Sequence, residues 1–313
     1  MNGFLVQQPG LLSLLQDRGR YGAHNLGLTT GGPLDFVAFG WANRLLENEF
    51  NATALEIGFG GLTLEAEVET SFAITGAQAP CALNGESLAQ WQTHDIGVGD
   101  KLEIGFVSQG TRVYLAVGGG FDISPSLGSS ATVVREKIGG IRGDKLQAGD
   151  RLPCRSSKTA RPCRLPAAVR PEYGQSASLR VVLGYQHAAF GPAQQWRFFN
   201  SEYRLTERCD RMGFRLEGET VHCDLVGMLS EGICHGAIQI PADGQPIVLM
   251  NDRQTIGGYP KIGSVIGHDT ARLAQLTPGS SVRFEAIGIE QAHSIHCLER
   301  ARFERSSLRL EPI

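Results

Sequence analysis

Gln239–Val265 reads QIPADGQPIVLMNDRQTIGGYPKIGSV. Its centre, Ile247–Met250, is an apolar run of the length of a buried strand, with turn residues on both sides. Asp243 and Gly244 predict a tight turn before it, and Gln245 presents an amide. After it come Asn251, Asp252, Arg253, Gln254 and Thr255, consecutive side chains that all hydrogen-bond. Gly257–Gly258 predicts positive φ and close approach of the backbone to a neighbour. Tyr259, Pro260 and Lys261 then set an aromatic ring and an ammonium beyond the glycines. A simple connection between strands needs only a glycine or an asparagine. This density of donors and acceptors predicts a site for a small polar ligand, the alternative being a hydrogen-bond network that pins a barrel corner.

Working outward, 313 residues suffice for two domains with a core each. Hydrophobic content of 42% and charged content of 19% describe a soluble globular chain. The 40 glycines are the outlier. Without a collagen period they mark many tight turns between short apolar runs, which predicts a mainly β architecture. A net charge of −3 gives no footprint for nucleic acid or a membrane surface. No apolar segment approaches the roughly 18 residues of a membrane span.

The start, MNGFLVQQPG, has neither the charged nor the apolar region of a signal peptide. The seven cysteines, none in a C-x-x-C, therefore read as free thiols in a reducing cytoplasm. His222–Cys223 and Cys234–His235 do not read as a metal site. Neighbours on a strand point to opposite faces, so at most one of each pair converges. Scattered core cysteines and surface imidazoles are the expectation.

In the first half, Leu11–Leu15 can bury, and Asp17, Arg18 and Arg20 follow on a glycine-rich turn. They read equally as an ion-pair brace and as an anion-facing rim. Asp35 is placed to cap a helix carrying Val37, Trp41 and Leu45 at i, i+4 and i+8, with a site role possible on top. From Ala54 the period switches to two, with a loop expected over Gly76–Asn84. Gly118–Gly120 lacks the Lys-Ser/Thr of a phosphate-binding loop, so it marks only a close backbone approach; Ser126–Ser130 adds donors that favour an anion site nearby.

Residues 154–178, with Pro162, Pro166 and Pro171 and five basic residues, read as a linker between units at 1–153 and 179–313. The second unit begins with a strand at Leu179–Leu183 and a short helix from Pro192. Asp210–Arg211 enters a strand holding Arg215. A short capped helix is expected at Asp269–Leu276, and a surface helix or frayed end beyond Ala292.

The segments QDRGRYG, GGPLD, ANRLLEN, ALEIGFGG, RVYLAVGGGFD, LGSSAT, DRMGFRLEG, GAIQIPADGQPIVLMNDRQTIGGYPKIG and LAQLTPG resemble a known family along nearly the whole chain. It is the biotin-dependent carboxyltransferase-like family, which takes in the C-type subunit of 5-oxoprolinase, allophanate-hydrolase-subunit-2-type proteins, antagonists of a kinase inhibitor, and part of urea carboxylase. Asp144 stands where the family usually has arginine, which weakens any anion contact there.

The resemblance implies two cyclophilin-like β-barrel units facing each other across a cleft. It also implies partners, the kinase-inhibitor-like B-type and lactam-acting A-type subunits of the same complex, with ATP-driven opening of 5-oxoproline to glutamate. The alternatives are carboxyl transfer to a urea-like amide, with biotin carried on a separate partner, and regulatory binding that antagonises a kinase inhibitor. On the first reading Asp252, Arg253 and Lys261 are the expected catalytic residues. Gln239, Gln245, Gln254, Thr255, Gly257, Gly258, Tyr259, Asp210, Arg211, Arg215 and Asp35 are the expected substrate contacts. Asp252 and Asp210 are the expected metal-binding carboxylates, and ATP with Mg2+ the expected cofactors, bound by this chain or by a partner.

Overall fold

The glycine-punctuated apolar runs fold as short strands in two compact units. The computed structural model describes residues 2–225, 228–305 and 310–313. One unit comprises Gly31–Tyr173 with the described residues of Met1–Gly22 and Ser306–Ile313; the other comprises Ala23–Thr30 and Gly174–Arg305. The mainly β architecture read from the sequence is the one observed.

In the first unit the strands form a six-stranded and a five-stranded sheet. Both line one core: Phe4, Val6, Leu64 and Leu102 come from the first sheet, Leu15, Ile57, Phe72 and Leu115 from the second. Each such side chain contributes about 1.5–3 kcal/mol on burial. The helix Phe36–Arg44 lies where its spacing placed it, and Asp35 caps it, Oδ1 accepting from Val37 N at 3.1 Å and Ala38 N at 3.0 Å. The other carboxylate oxygen accepts from the Tyr173 hydroxyl at 2.9 Å.

The Asp17–Arg20 turn is a brace, built of hydrogen bonds to serines and backbone carbonyls where an ion pair was one of the two readings. Asp17 accepts from Ser129 Oγ at 2.6 Å and Ser130 N at 2.8 Å. Arg20 is fully buried and donates to the carbonyls of Ser126, Ser129 and Ala131. Two donors of Ser126–Ser130, Ser129 Oγ and Ser130 N, are therefore directed at the chain's own carboxylate, which corrects the expected anion site. Gly118 is close packing, as read: a Cβ there would lie 2.4 Å from Ser157 O. The expected loop over Gly76–Asn84 is instead strand as far as Gln78 and again over Cys81–Leu83, which pairs with Glu86–Leu88. Gly76 takes φ 90° and passes 2.4 Å (Cβ position) from Arg112 O, so the chain kinks within the strand where a loop was expected. Within residues 154–178, Cys163–Arg164 pairs with Glu311–Pro312 and Leu165 is buried, and the units divide after Tyr173.

The second unit is a closed barrel. Its strands run, in spatial order, Ser176–Leu183, Lys261–Val265, Ala237–Gln239, Ile247–Leu249, Gly213–Glu217, Tyr203–Cys209 and Ser281–Ile287. A parallel pairing from Ser176↔Ser281 to Val182↔Ile287 closes the ring, so no barrel strand is left as an edge. The helix Pro192–Asn200 stacks Phe198 on Phe284, ring centroids 4.5 Å apart. The helix expected at Asp269–Leu276 begins earlier, spanning Gly267–Leu273, and Asp269 is not its cap. Asp269 is fully buried and accepts from Arg180 N, Nε and Nη2 at 2.7–2.8 Å, which fastens the helix to the first barrel strand. The helix Ile289–Glu304 buries none of its side chains, as expected for a surface helix.

All seven cysteines are free thiols. Burial pushes the Cys81 and Cys154 thiols up to about 12, which leaves almost no thiolate near neutral pH. Maleimide labelling of the folded chain, read by mass spectrometry, is expected to modify the exposed Cys234 and Cys297 and spare Cys81 and Cys154. Equal labelling of all four would contradict this packing.

Candidate functional site

Two cross-strand pairs lie against each other in the barrel unit. In the first, Gln239 stands opposite Lys261, just after a register shift between Ile238 and Gln239. Residues directly opposite in an antiparallel ladder share a face. In the second, a short ribbon pairs Glu231–Gly232 with Ile256–Gly257, putting Glu231 opposite Gly257. Ile233, next along the ribbon, buries with Ala237, Ile247 and Leu249 and seats the ribbon on the barrel.

The first point of contact is electrostatic. Lys261 is only 8% exposed. Its ammonium pairs with Glu231 Oε1, and Gln186 Nε2 donates to the same oxygen at 2.7 Å. Gln186 Oε1 in turn accepts from Lys261 N at 2.8 Å. A buried ammonium without such partners would cost several kcal/mol.

The second point of contact is steric. The expected positive φ at Gly257–Gly258 is not observed. Gly257 is required for space: a Cβ there would lie 2.6 Å from Ile233 Cδ1, 3.1 Å from Gln239 Nε2 and 3.5 Å from Gln254 Nε2. Two amide groups thus converge on the missing side chain. Gln239 is 1% exposed, and its Nε2 has no hydrogen-bond partner among the described residues. Burying an unsatisfied donor costs about 1–3 kcal/mol. Such a group in an otherwise well-bonded site is one that an acceptor atom of a ligand or a water would satisfy.

The polar run after Met250 holds this arrangement from behind. Arg253 is buried and donates from Nε to Ile233 O at 3.1 Å and from Nη1 to Met250 O at 3.3 Å, tying the ribbon to the strand end. Thr255 O accepts from Ile233 N at 3.0 Å. Arg211 forks onto Asp252 through Nε and Nη2 at 2.9 and 3.0 Å, with both side chains buried. His235 meets Asn251 Oδ1 at 3.1 Å. Burial, then the nearby Arg253 guanidinium, push this imidazole down to about 4, so it is neutral at neutral pH.

The structure thus brings together Lys261, Gln239, Gln254, Gly257, Arg253 and the backbone of Thr255. Arg211 and Asp252 support them, Gly258 faces Ser230, and Tyr259 is half exposed. Four expected contacts are engaged elsewhere. Gln245 closes a turn with both backbone groups of Gly218. Asp210 is exposed and accepts from Met212 N and Gly213 N. Arg215 is exposed between the buried Phe214 and Leu216 of its strand. Asp35 caps its helix in the other unit. The expected Mg2+ ligands do not fit that ion: Arg211 takes both oxygens of Asp252, and Asp210 holds backbone amides. Among the described residues no group of three or more His, Cys, Asp or Glu side chains could hold a metal.

Three residues of the site were not singled out from the sequence. Glu231 and Gln186 reach Lys261 over separations of 30 and 75 residues, which no local period encodes. His235 was read as a surface imidazole. Cys234 and His235 lie in a turn between strands, so the alternation argument does not apply to them; Cys234 meets Ser264 Oγ at 3.0 Å and His235 meets Asn251.

Residues 26–286 match the model of a family described as the carboxyltransferase domain, subdomain A and B. The chain is 36% identical over 306 residues to the C-type subunit of 5-oxoprolinase from Escherichia coli (strain K12), covering 97% of this chain and 98% of that protein. It is 35% identical over 279 residues to the corresponding 5-oxoprolinase subunit of Haemophilus influenzae, covering 89% of each. The crystal structure of the K. lactis Urea Amidolyase superposes with a TM-score of 0.90 at 26% identity, over 97% of this chain and 20% of that one.

Two expectations follow from the geometry. Between the ordinary histidine value of 6.5 and about 4, the unfolded chain binds a proton that folded His235 declines. The stability His235 contributes is therefore complete above that window and is lost as pH falls through it. Melting temperature should drop across this range by less in His235→Gln than in the wild type; parallel curves would remove His235 from the acid response. Gly257→Ala should lift the ribbon and abolish ligand-induced stabilisation, while costing about 1–2 kcal/mol because Ile233 Cδ1 can yield. Retained ligand stabilisation would show that the space at Gly257 is not needed.

Proposed function

This chain belongs to the carboxyltransferase-domain family, subdomain A and B, and on that premise we propose that it is the C-type subunit of an ATP-dependent 5-oxoprolinase. In this reading it works with kinase-inhibitor-like B-type and lactam-acting A-type subunits, and the complex opens 5-oxoproline to glutamate. The matches to C-type subunits of 5-oxoprolinase cover 97% and 89% of this chain, which supports this reading.

An amide carbonyl is a poor electrophile, and ATP supplies the driving force by activating its oxygen. What this chain contributes is grip and water exclusion. Gln239 Nε2 is a buried donor without a partner among the described residues, and in this reading it meets the lactam carbonyl oxygen. Lys261 supplies positive charge across the ladder from it, and Arg253 fixes the ribbon that covers both. A preorganised donor aimed at a carbonyl where charge develops is worth about 10²–10³ in rate. Because the expected Mg2+ ligands do not fit that ion, no step through metal or nucleotide is assigned to this chain. The strongest support for the reading is the buried amide of Gln239 against Gly257.

A second reading, carboxyl transfer from a biotin-bearing partner to a urea-like amide, draws on the likeness to the K. lactis Urea Amidolyase. The test that separates them mixes the chain with candidate B-type and A-type partners and follows ATP-dependent glutamate release from 5-oxoproline. Gln239→Leu is expected to lower turnover by about 10²-fold while leaving the melting temperature unchanged or raised, since it removes an unsatisfied buried donor. Carboxyl transfer to urea, with no glutamate release from the full set, would overturn the first reading in favour of the second.

A further inference from the structure

We propose that Lys261 Nζ and Gln186 Nε2 form a carboxylate subsite, which the chain's own Glu231 fills until the carboxylate of an incoming ligand displaces it. This rests on the lactam reading above and names the chemical group that reading requires: an anionic lactam in place of a neutral amide.

The grip on Glu231 is one-sided. Its Oε1 takes both the ammonium and the Gln186 amide, and its side chain remains 29% exposed. The other ion pairs of this unit's interior are made differently. Arg211–Asp252 is a fork with two bonds and side chains 8% and 7% exposed. Asp269 is fully buried and receives three bonds from Arg180. Those pairs are closed, whereas Glu231 is held at a single oxygen and is reachable by solvent.

The anchorage of the ribbon lies beyond Glu231, at the buried Ile233. Among the described residues Glu231–Gly232 is a two-residue strand paired with Ile256–Gly257, and Gly232 and Ile256 are exposed. Swinging the Glu231 side chain away breaks its contacts with Lys261 and Gln186 and leaves the anchorage of the ribbon at Ile233 in place. The exchange conserves charge as well. One carboxylate leaves the ammonium as another arrives, so the buried Lys261 is never left unpaired, a state that would cost several kcal/mol. A neutral amide cannot make that exchange, because it offers no charge to replace Glu231.

The geometry of the ladder adds a second recognition point. Gln239 stands directly opposite Lys261, and such pairs hold their Cβ atoms about 4.5–5.5 Å apart. A ligand whose carboxylate and amide carbonyl are separated by a few bonds can meet Lys261 with one and the unpartnered Gln239 Nε2 with the other. 5-Oxoproline has this disposition.

The test is calorimetric titration of the full chain with 5-oxoproline, with cyclopentanecarboxylate as the carboxylate alone, and with 2-pyrrolidinone as the lactam alone. Glu231 is a tethered competitor at millimolar effective concentration, so its removal should tighten both carboxylate ligands by about tenfold. Glu231→Gln and Glu231→Ala are both expected to show this gain, with 2-pyrrolidinone unchanged, and Lys261→Met is expected to lose it. Hydrogen exchange on the wild type checks the same point without a variant: amides of 231 and 232 should exchange faster with cyclopentanecarboxylate and not with 2-pyrrolidinone. Unchanged or weaker carboxylate affinity in both Glu231 variants overturns the proposal. So does absence of carboxylate binding in every form, or carboxylate binding without faster exchange. Cyclopentanecarboxylate carries no lactam, so a tightening there with no 5-oxoproline turnover by the complex would remove the lactam reading and leave the subsite. Turnover without tightening would remove the subsite alone.

Discussion

The ammonium of Lys261, buried in a β-barrel wall and neutralised by a carboxylate from a separate ribbon, is the interaction on which the rest of this site depends. A lysine at that depth needs an anion, and the barrel strands beside it offer none at that position: its ladder neighbour is Gln239. The anion arrives on Glu231, which fixes where the ribbon must sit. With Glu231 over Lys261, its partner Gly257 necessarily falls over Gln239. The absence of a side chain at Gly257 is what lets the two layers meet. One electrostatic demand thus sets the register of a ribbon, and the register leaves one amide donor without a partner.

The charged side chains around this point divide by what holds them. Asp252 and Arg211 satisfy each other, and removing either would strand a buried charge at about 3–5 kcal/mol, so they belong to the framework. Arg253 spends two of its donors on backbone carbonyls and clamps the ribbon to the end of the strand Ile247–Leu249. His235, kept neutral by burial and by Arg253, adds no further positive charge beside it. Against this closed framework the Lys261–Glu231 contact and the Gln239 amide are the adjustable parts. A site that must exchange ligands needs some of each, since rigidity gives position and the adjustable groups give entry.

Much of this was legible in the sequence because it is local. The strand at Ile247–Leu249, the turn at Gly244 and the Asp35 cap each follow from a few consecutive residues, and each was found where expected. The polar run after Met250 does pack against the Lys261–Glu231 contact, where the sequence put the candidate site. Its individual roles were not legible, because they depend on partners far along the chain. Asp252 reads as a ligand until Arg211 is seen across it, and Gln245 until Gly218 is. Gly257 illustrates a different limit: glycine serves either positive φ or close packing, and only the neighbours, here Ile233 and Gln239, decide which. Glu231 and Gln186 lay outside any motif, since the barrel brings them to Lys261 by register alone.

The claim that this buried amide and its ammonium neighbour form a ligand site is tested most directly by nitrogen-15 NMR of the Gln239 side-chain NH2, identified by its loss in Gln239→Glu. Titration with 5-oxoproline should shift those two protons downfield and slow their exchange with water, as the unpartnered donor acquires an acceptor. Saturation of the chain with ligand, while the Gln239 resonances stay where they were, would contradict the account.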